Sequence, residues 1–217
     1  MTVIEKKWKG PESPATRTHQ RITEVQSITL KDGTPATLYP IYSTDVSQST
    51  VSDSLIDFLH VEFNEEIERG DTYPYLHTLT REGFLNYFFD SFTAILLPAE
   101  VKPSDDLKNW DEVFLGMYYI KPNYAGRCSH NCNGGFLVNH RKRGLRIGSE
   151  LGRSYLEWAP MLGYTYSVFN LVFETNHGSL RIWDGLGFDR IGRIPGAGAL
   201  KGQDKPVDAI MFGKSLV

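Results

Sequence analysis

The stretch Phe136-Leu137-Val138-Asn139-His140-Arg141-Lys142-Arg143-Gly144-Leu145-Arg146-Ile147-Gly148-Ser149-Glu150-Leu151-Gly152-Arg153 reads as a strand, a basic glycine turn and a helix. Phe136, Leu137 and Val138 are apolar in succession and suit a buried strand. Arg141, Lys142, Arg143 and Arg146 crowd positive charge into the turn, where Gly144 and Gly148 leave room for a close backbone approach. A helix that begins near Ile147 aims its unpaired N–H groups and the positive end of its dipole back into the loop. Together these features describe a cradle for a pyrophosphate. A plain solvated connection between strand and helix is the other reading of the same turn. Two phosphate templates are excluded: no Gly-Lys-Ser/Thr closes the turn, and it is not G-x-G-x-x-G.

Working outward, Asn133 to Asn139 is the strand that enters the cradle, and Gly134-Gly135 points to a β-bulge or a close ligand approach. The helix after the cradle turns Leu151, Tyr155, Leu156 and Ala159 to one face and stops near Pro160 and Gly163. Tyr166 to Phe173 is nearly continuously apolar, interrupted at Asn170, as expected of a parallel-sheet strand covered on both faces. Asn176 or Ser179 opens a further helix with Leu180, Ile182, Trp183 and Leu186, ending at Gly187. Phe188–Ile194 and Val207–Lys214 read as closing strands. The expected fold class is therefore α/β.

Upstream, Ile22 to Leu30, the turn Lys31-Asp32-Gly33 and Thr37 to Tyr42 read as a hairpin. Ser52 or Asp53 caps a helix that ends at Gly70 and buries Leu55, Ile56, Leu59, Phe63 and Ile67. Its other side carries Glu62, Glu65, Glu66 and Glu68, expected to be a solvated face or an attraction for a cation. Thr80 starts a second helix with Phe84, Leu85 and Phe88 inward, Thr93–Leu97 and Phe114–Ile120 are strands, and 98–112 is a polar loop. The loop from Lys121 to Cys132, with Asn123, Tyr124, Arg127, His130 and Asn131, is a candidate pocket lip as well as an ordinary surface loop.

Composition narrows the classes. The 217 residues fit one domain over 21–217 behind a polar tail at 1–20. A hydrophobic share of 41% makes the chain globular, and a net charge of −3 gives no case for nucleic acid. Cys128 and Cys132 lack a fourth ligand, so no metal is expected, and two thiols suit a reducing compartment. No apolar run approaches the roughly 20 residues of a membrane span. The first twenty residues lack an apolar signal core, and their mixed charges make no clear mitochondrial presequence.

Two motifs carry a family resemblance. Arg143-Gly144-Leu145-Arg146-Ile147-Gly148 resembles the Arg-Gly-x-Gly-x-Gly/Ala acetyl-CoA loop of the GCN5-related N-acetyltransferases (GNAT), with Arg146 where that family usually has Gly. Asn176 followed by Leu186-Gly187-Phe188 is similar to the family's second motif. The resemblance implies the GNAT acyl-CoA N-acyltransferase fold, a mixed twisted sheet flanked by helices. Its two parallel central strands, here Asn133–Asn139 and Tyr166–Phe173, splay apart to admit acetyl-CoA. The implied acetyl-CoA residues are Phe136, Leu137, Val138, Arg143, Gly144, Leu145, Arg146, Ile147, Gly148, Asn176 and Trp183, with no metal.

Longer segments narrow the match. Ile120–Ala125, Arg127–Asn133, Gly135–Asn139, Phe169–Phe173 and Pro206–Ile210 look like the fungal L-azetidine-2-carboxylate acetyltransferases, as do Tyr73-Pro74, Leu85-Asn86-Tyr87 and Trp158-Ala159-Pro160. The likeness runs from about Ser54 to Lys214. It implies acetyl transfer from acetyl-CoA to the ring nitrogen of small cyclic imino acids. Azetidine-2-carboxylate and cis-4-hydroxyproline are the toxic analogues of that family, and pyrroline-5-carboxylate or its open semialdehyde is its proposed physiological target. Detoxification of proline analogues, limited oxidative stress, a homodimer and a cytoplasmic or also mitochondrial setting follow from the same likeness. Asn133 and Asn176 are the implied catalytic positions. Asn133, Asn170 and the backbone of Leu171 meet the substrate, Asn170 and Leu171 at its carboxylate.

Each asparagine has a plainer reading: a satisfied structural amide at Asn170, a turn residue at Asn133, a helix N-cap at Asn176. Asn170 is the most informative, because a buried amide left unpaired costs about 1–3 kcal/mol. Backbone N–H groups near Phe136 to Val138 could polarise the thioester carbonyl. Many relatives use a tyrosine acid where this chain has Trp183, and a glutamate base on the first splayed strand, where Asn133–Asn139 has no carboxylate. His130 and His177 are candidate bases, with solvated loop histidines as the plain alternative. Another small amine, such as a polyamine drawn by Glu62–Glu68, is a second substrate reading. A non-catalytic acyl-CoA sensor, suggested by the missing acid, is a third.

Overall fold

The computed structural model describes residues 21–142 and 144–217; the tail expected over residues 1–20 lies outside the described residues, as does Arg143. The elements are β1 (Gln26–Thr29), β2 (Pro35–Tyr42), α1 (Ser43–Ser47), α2 (Asp53–Arg69), α3 (Arg81–Phe89), β3 (Phe92–Pro98), α4 (Trp110–Val113), β4 (Gly116–Pro122), β5 (Asn131–Val138), α5 (Ile147–Met161), β6 (Tyr166–Phe173), α6 (His177–Gly185), β7 (Asp189–Gly198) and β8 (Val207–Ser215). The strands form one sheet in the order β1-β2-β3-β4-β5-β6-β8-β7. The expected capping chemistry sets the helix limits. The Ser52 hydroxyl accepts from Leu55 N at 3.2 Å, and Gly70 ends α2 in the left-handed region at φ 69°. Thr80 caps α3 and Asn176 caps α6 through Ser179 N at 3.1 Å. The short α1 and α4 were not legible as helices; α4 lies in the expected polar loop and buries Trp110.

Helices cover both faces of the sheet. On one face α2 and α3 bury Leu55, Leu59, Phe63, Phe84 and Phe88 against β3 and β4. On the other, α5 brings Leu151, Tyr155, Trp158 and Ala159 to the sheet, and α6 adds Trp183. The pattern that placed Leu55 through Ile67 inside also placed Glu62 outside, and there it is wrong: Glu62 is 1% exposed.

The join of β5 and β6 opens the sheet. They pair in parallel only at Asn131↔Tyr166 and Cys132↔Ser167, and beyond Cys132 they separate. Asn133 spans the start of the opening, its Nδ2 donating to Val168 O at 2.8 Å. The bulge expected at Gly134-Gly135 is absent: the β4–β5 register runs unbroken from Gly116↔Val138 to Pro122↔Cys132. These glycines make room for aromatic rings instead. A Cβ at Gly134 would stand 2.7 Å from Tyr155 Cε2, and one at Gly135 would enter the Tyr119 ring. The bulge lies in β6, where the β8 register slips between Phe169 and Val172 and takes Asn170 and Leu171 out of the ladder. Leu171 is 41% exposed, so β6 is not covered on both faces as its apolar run suggested.

Candidate active site

His130 O accepts from Thr165 N, and Asn131 O from Asn123 N, so even-numbered residues of β5 turn their backbone groups toward β6. Past the split, Gly134, Phe136 and Val138 therefore face an opening rather than a strand. A cleft of about 1060 Å³ occupies it. One end is lined by His140, Lys142, Gly144, Arg146, Ile147 and Gly148, with Arg181 from α6. Phe136, Asn176 and Trp183 line it further in, Tyr73, Tyr87 and Tyr119 lie around Phe136 and Asn133, and Glu66 and Lys201 also belong to the lining.

The basic end fits a pyrophosphate. Helix α5 begins at Ile147, as the sequence predicts, so its first N–H groups and dipole end open on the cleft. Gly144 is left-handed at φ 85° with open space beside it, and Gly148 instead gives room to Ile182, whose Cδ1 would lie 2.8 Å from an added Cβ. Leu145 turns from the cleft to pack on the core, and Leu137, buried at 2%, contributes lining beside Phe136 and Val138. Arg146 holds φ 60° and ψ 21°, the left-handed region. That explains why a glycine suits this position: a side-chain-bearing residue pays about 1–2 kcal/mol there. Arg146→Gly, which loosens the unfolded chain by about 0.4–1 kcal/mol, is expected to stabilise the fold by about 0–1.6 kcal/mol in a thermal melt. It should also weaken CoA binding, because a cleft-lining cation is lost.

The middle of the cleft is aromatic. Trp183 is 5% exposed and packs on Phe136 and Phe169, with ring centroids at 4.9 and 4.3 Å. It carries no hydroxyl, so it offers no acid at the position where the resemblance leads one to expect it. Phenols come from the opposite face. Tyr73 Oη donates to Phe136 O at 3.0 Å, Tyr119 Oη lies 3.4 Å from Asn133 Oδ1, and Tyr87 Oη lies 3.2 Å from Tyr119 Oη. Burial raises all three phenols above the ordinary tyrosine range. They stay protonated donors, which the sequence reading missed. Tyr73 and Tyr87 stood in segments noted for their likeness, but nothing in spacing assigned them a wall. Thr175 also lines the cleft, and its Oγ1 is buried with no hydrogen-bond partner among the described residues.

Asn170 lines the cleft and is bonded to Asn123 in both directions: Asn170 Nδ2 donates to Asn123 Oδ1 at 2.6 Å, and Asn123 Nδ2 to Asn170 Oδ1 at 3.2 Å. Each amide keeps a second N–H for another acceptor. The expected lip reduces to this contact. Tyr124, Arg127, His130 and Asn131 do not line the cleft, whereas His177 does. The Cys132 thiol lies 3.1 Å from Tyr155 Oη, and burial pushes it up to about 12; Cys128 is exposed. Among the described residues, no helix is long and apolar enough to cross a membrane.

No family model matches the chain. Individual proteins do. N-acetyltransferase aca1 of Schizosaccharomyces pombe is 46% identical over 166 residues, covering 74% of this chain and 79% of its own. Protein SPT10 of Saccharomyces cerevisiae is 37% identical over 90% of this chain, which spans only 36% of that protein. Among solved structures, a GCN5-related N-acetyltransferase from Kribbella flavida matches with a TM-score of 0.64 at 24% identity, over 82% of this chain and 97% of that one. The acetyltransferase yncA from Salmonella typhimurium, solved with its cofactor acetyl-CoA, matches with a TM-score of 0.63 at 13% identity, over 84% of this chain and 94% of that one.

Proposed function

This chain belongs to the GCN5-related N-acetyltransferases, acetyl-CoA-dependent enzymes, and on that premise we propose that its acceptors are small cyclic imino acids such as azetidine-2-carboxylate and cis-4-hydroxyproline. The observation that carries this reading is the group of phenols and neutral amides around Asn133 and Asn170, the acceptor end of a cleft whose lining also includes Glu66, Asp71 and Lys201. The remaining N–H groups of the Asn123–Asn170 pair, beside the Leu171 backbone that the bulge frees from the ladder, suit a carboxylate. A polyamine finds fewer free carboxylates than the acidic run suggests: Glu62 is buried against His140 and Arg141, and Glu66 is engaged by Arg69 and Thr72, which leaves Asp71 as the exposed acid of the cleft lining. Proline-analogue resistance, a role in oxidative stress, a homodimer and a cytoplasmic or mitochondrial setting are proposals carried by family likeness alone.

In this reading the ring nitrogen attacks the thioester carbon, an N–C bond forms and the C–S bond breaks. The N–H groups of Phe136 and Val138 face the opening and are placed to polarise the carbonyl, whereas that of Leu137 points to β4. Asn176, the N-cap of α6, also lines the cleft, and this reading sets it near the thioester. The amine proton leaves through water, and the thiolate regains one the same way.

Free-thiol release from acetyl-CoA tests the proposal with azetidine-2-carboxylate, cis-4-hydroxyproline, proline and spermidine side by side. Turnover is expected on the cyclic analogues and not on spermidine. Asn170→Ala is expected to raise KM for the imino acids about ten- to a hundredfold, the worth of hydrogen bonds to a charged group. Turnover on spermidine alone would overturn the substrate and leave the family standing.

A further inference from the structure

Glu62 breaks the pattern of its own helix. It falls in an acidic run, yet it is 1% exposed. Both of its oxygens are engaged: Oε1 meets His140 Nδ1 at 3.0 Å, and Oε2 accepts from Arg141 Nη1 at 3.3 Å. A carboxylate is tolerated at such depth only with partners of this kind. Glu65 completes a group whose ligand atoms lie within 4.8 Å of one another, a spacing that could hold a cation. Arg141 already supplies the positive charge there, so the geometry describes an ion-pair cluster and not an open metal site.

The partners give the cluster its meaning. His140 and Arg141 are consecutive residues of the 3-10 turn His140–Lys142, which leaves β5 for the basic loop. His140 and Lys142 line the basic end of the cleft, and Arg141 does not. Asn139, fully buried, holds the base of the turn. Its Nδ2 donates to Asp111 O and Phe114 O at 2.8 Å each, and its Oδ1 accepts from Arg141 N at 2.9 Å. We infer that Glu62 is a positioning residue for the nucleotide end of acetyl-CoA: it pins the His140–Arg141 turn to α2, keeps Arg141 out of the cleft, and fixes His140, Lys142 and the start of α5 for the pyrophosphate. The inference rests on the acetyl-CoA reading of the cleft and is independent of the acceptor.

Calorimetric titration of CoA, with no acceptor present, measures it on the full chain and on Glu62→Gln and Glu62→Asp. The Gln variant is expected to bind CoA about ten- to a hundredfold more weakly, the scale on which misplaced groups cost binding and rate. The Asp variant, which keeps the charge on a shorter arm, should recover part of the loss. Turnover with S-acetylpantetheine, a thioester without nucleotide or pyrophosphate, should change little in either variant. CoA binding unchanged or tightened in Glu62→Gln, as Arg141 released onto the phosphates would give, overturns the inference. So does an equal fall with both thioesters, which would mark general damage to the fold. Absence of CoA binding in the unmodified protein would overturn the acetyl-CoA reading itself.

Discussion

The kcat/KM for azetidine-2-carboxylate is expected to rise about tenfold per pH unit between pH 6 and pH 9, without a break near the pKa of a carboxylate or an imidazole. An alkylamine titrating near pH 10 is neutral in only about one molecule per thousand at pH 7, a deficit of roughly 4 kcal/mol. A cleft with an internal base would remove that deficit above the base's pKa and flatten the profile. The phenols and amides around Asn133 and Asn170 do not act in this way, and the Glu66 carboxylate that also lines the cleft is engaged by Arg69 and Thr72. Burial raises the phenols of Tyr73, Tyr87 and Tyr119, so they keep their protons through this range and beyond it, as donors and not as bases. Lys121 shifts the other way. Burial lowers its pKa, so it sheds its proton earlier than an ordinary lysine as pH rises. It lies over the rings of Tyr87 and Tyr119, with Nζ 3.2 Å from Tyr87 O, and outside the cleft lining. The slope is therefore set by the substrate amine. A plateau governed by a group near pH 6 would sink this account and point to His140 or His177, the histidines that line the cleft. A break near the top of the range that disappears in Lys121→Met would assign the base to that lysine.

Most of the fold was legible because its punctuation is local. Ser52, Gly70, Thr80 and Asn176 each act within a few residues, and each stands where the sequence places it. The apolar stretch Phe136–Val138 and the start of α5 at Ile147 are local in the same sense. What escaped depends on distant neighbours. Periodicity places Glu62 on the solvent side, because nothing within α2 announces that His140 and Arg141, nearly eighty positions on, will meet it. Gly134-Gly135 carries the composition of a bulge, and only the rings of Tyr155 and Tyr119 show why the strand stays regular. The phenols of the acceptor end come from the loop before α3, from α3 and from β4, so no motif could collect them. Asn170 looked alone in an apolar strand, and its partner Asn123 comes from a loop that otherwise stays off the cleft.

Replacing Asn133 with Ala is expected to lower kcat/KM for the imino acid about a hundredfold while CoA binding stays near that of the unmodified chain. One amide does two things at the mouth of the split. Its Nδ2 donates to Val168 O at 2.8 Å, the first link between β5 and β6 after their ladder ends. Its Oδ1 faces Tyr119 Oη at 3.4 Å, and Tyr119 in turn lies beside Tyr87. Alanine removes both links, and the unpaired groups should cost about 1–3 kcal/mol of stability in a denaturant titration. A role as strand tether alone would show that stability loss with kcat/KM changed only a few-fold. A role at the acceptor shows a fall in turnover beyond what the unfolded fraction explains. Asn133→Asp separates the two readings further. The shape is kept, but the donor to Val168 O is lost, and a carboxylate appears on a strand that has none from Asn133 to Asn139. If proton removal limits the reaction and Asn133 stands beside the amine, this variant should acquire a plateau in its pH profile that the unmodified chain lacks. A profile of unchanged slope would place Asn133 away from the transferred proton and leave it as the tether at the mouth of the split.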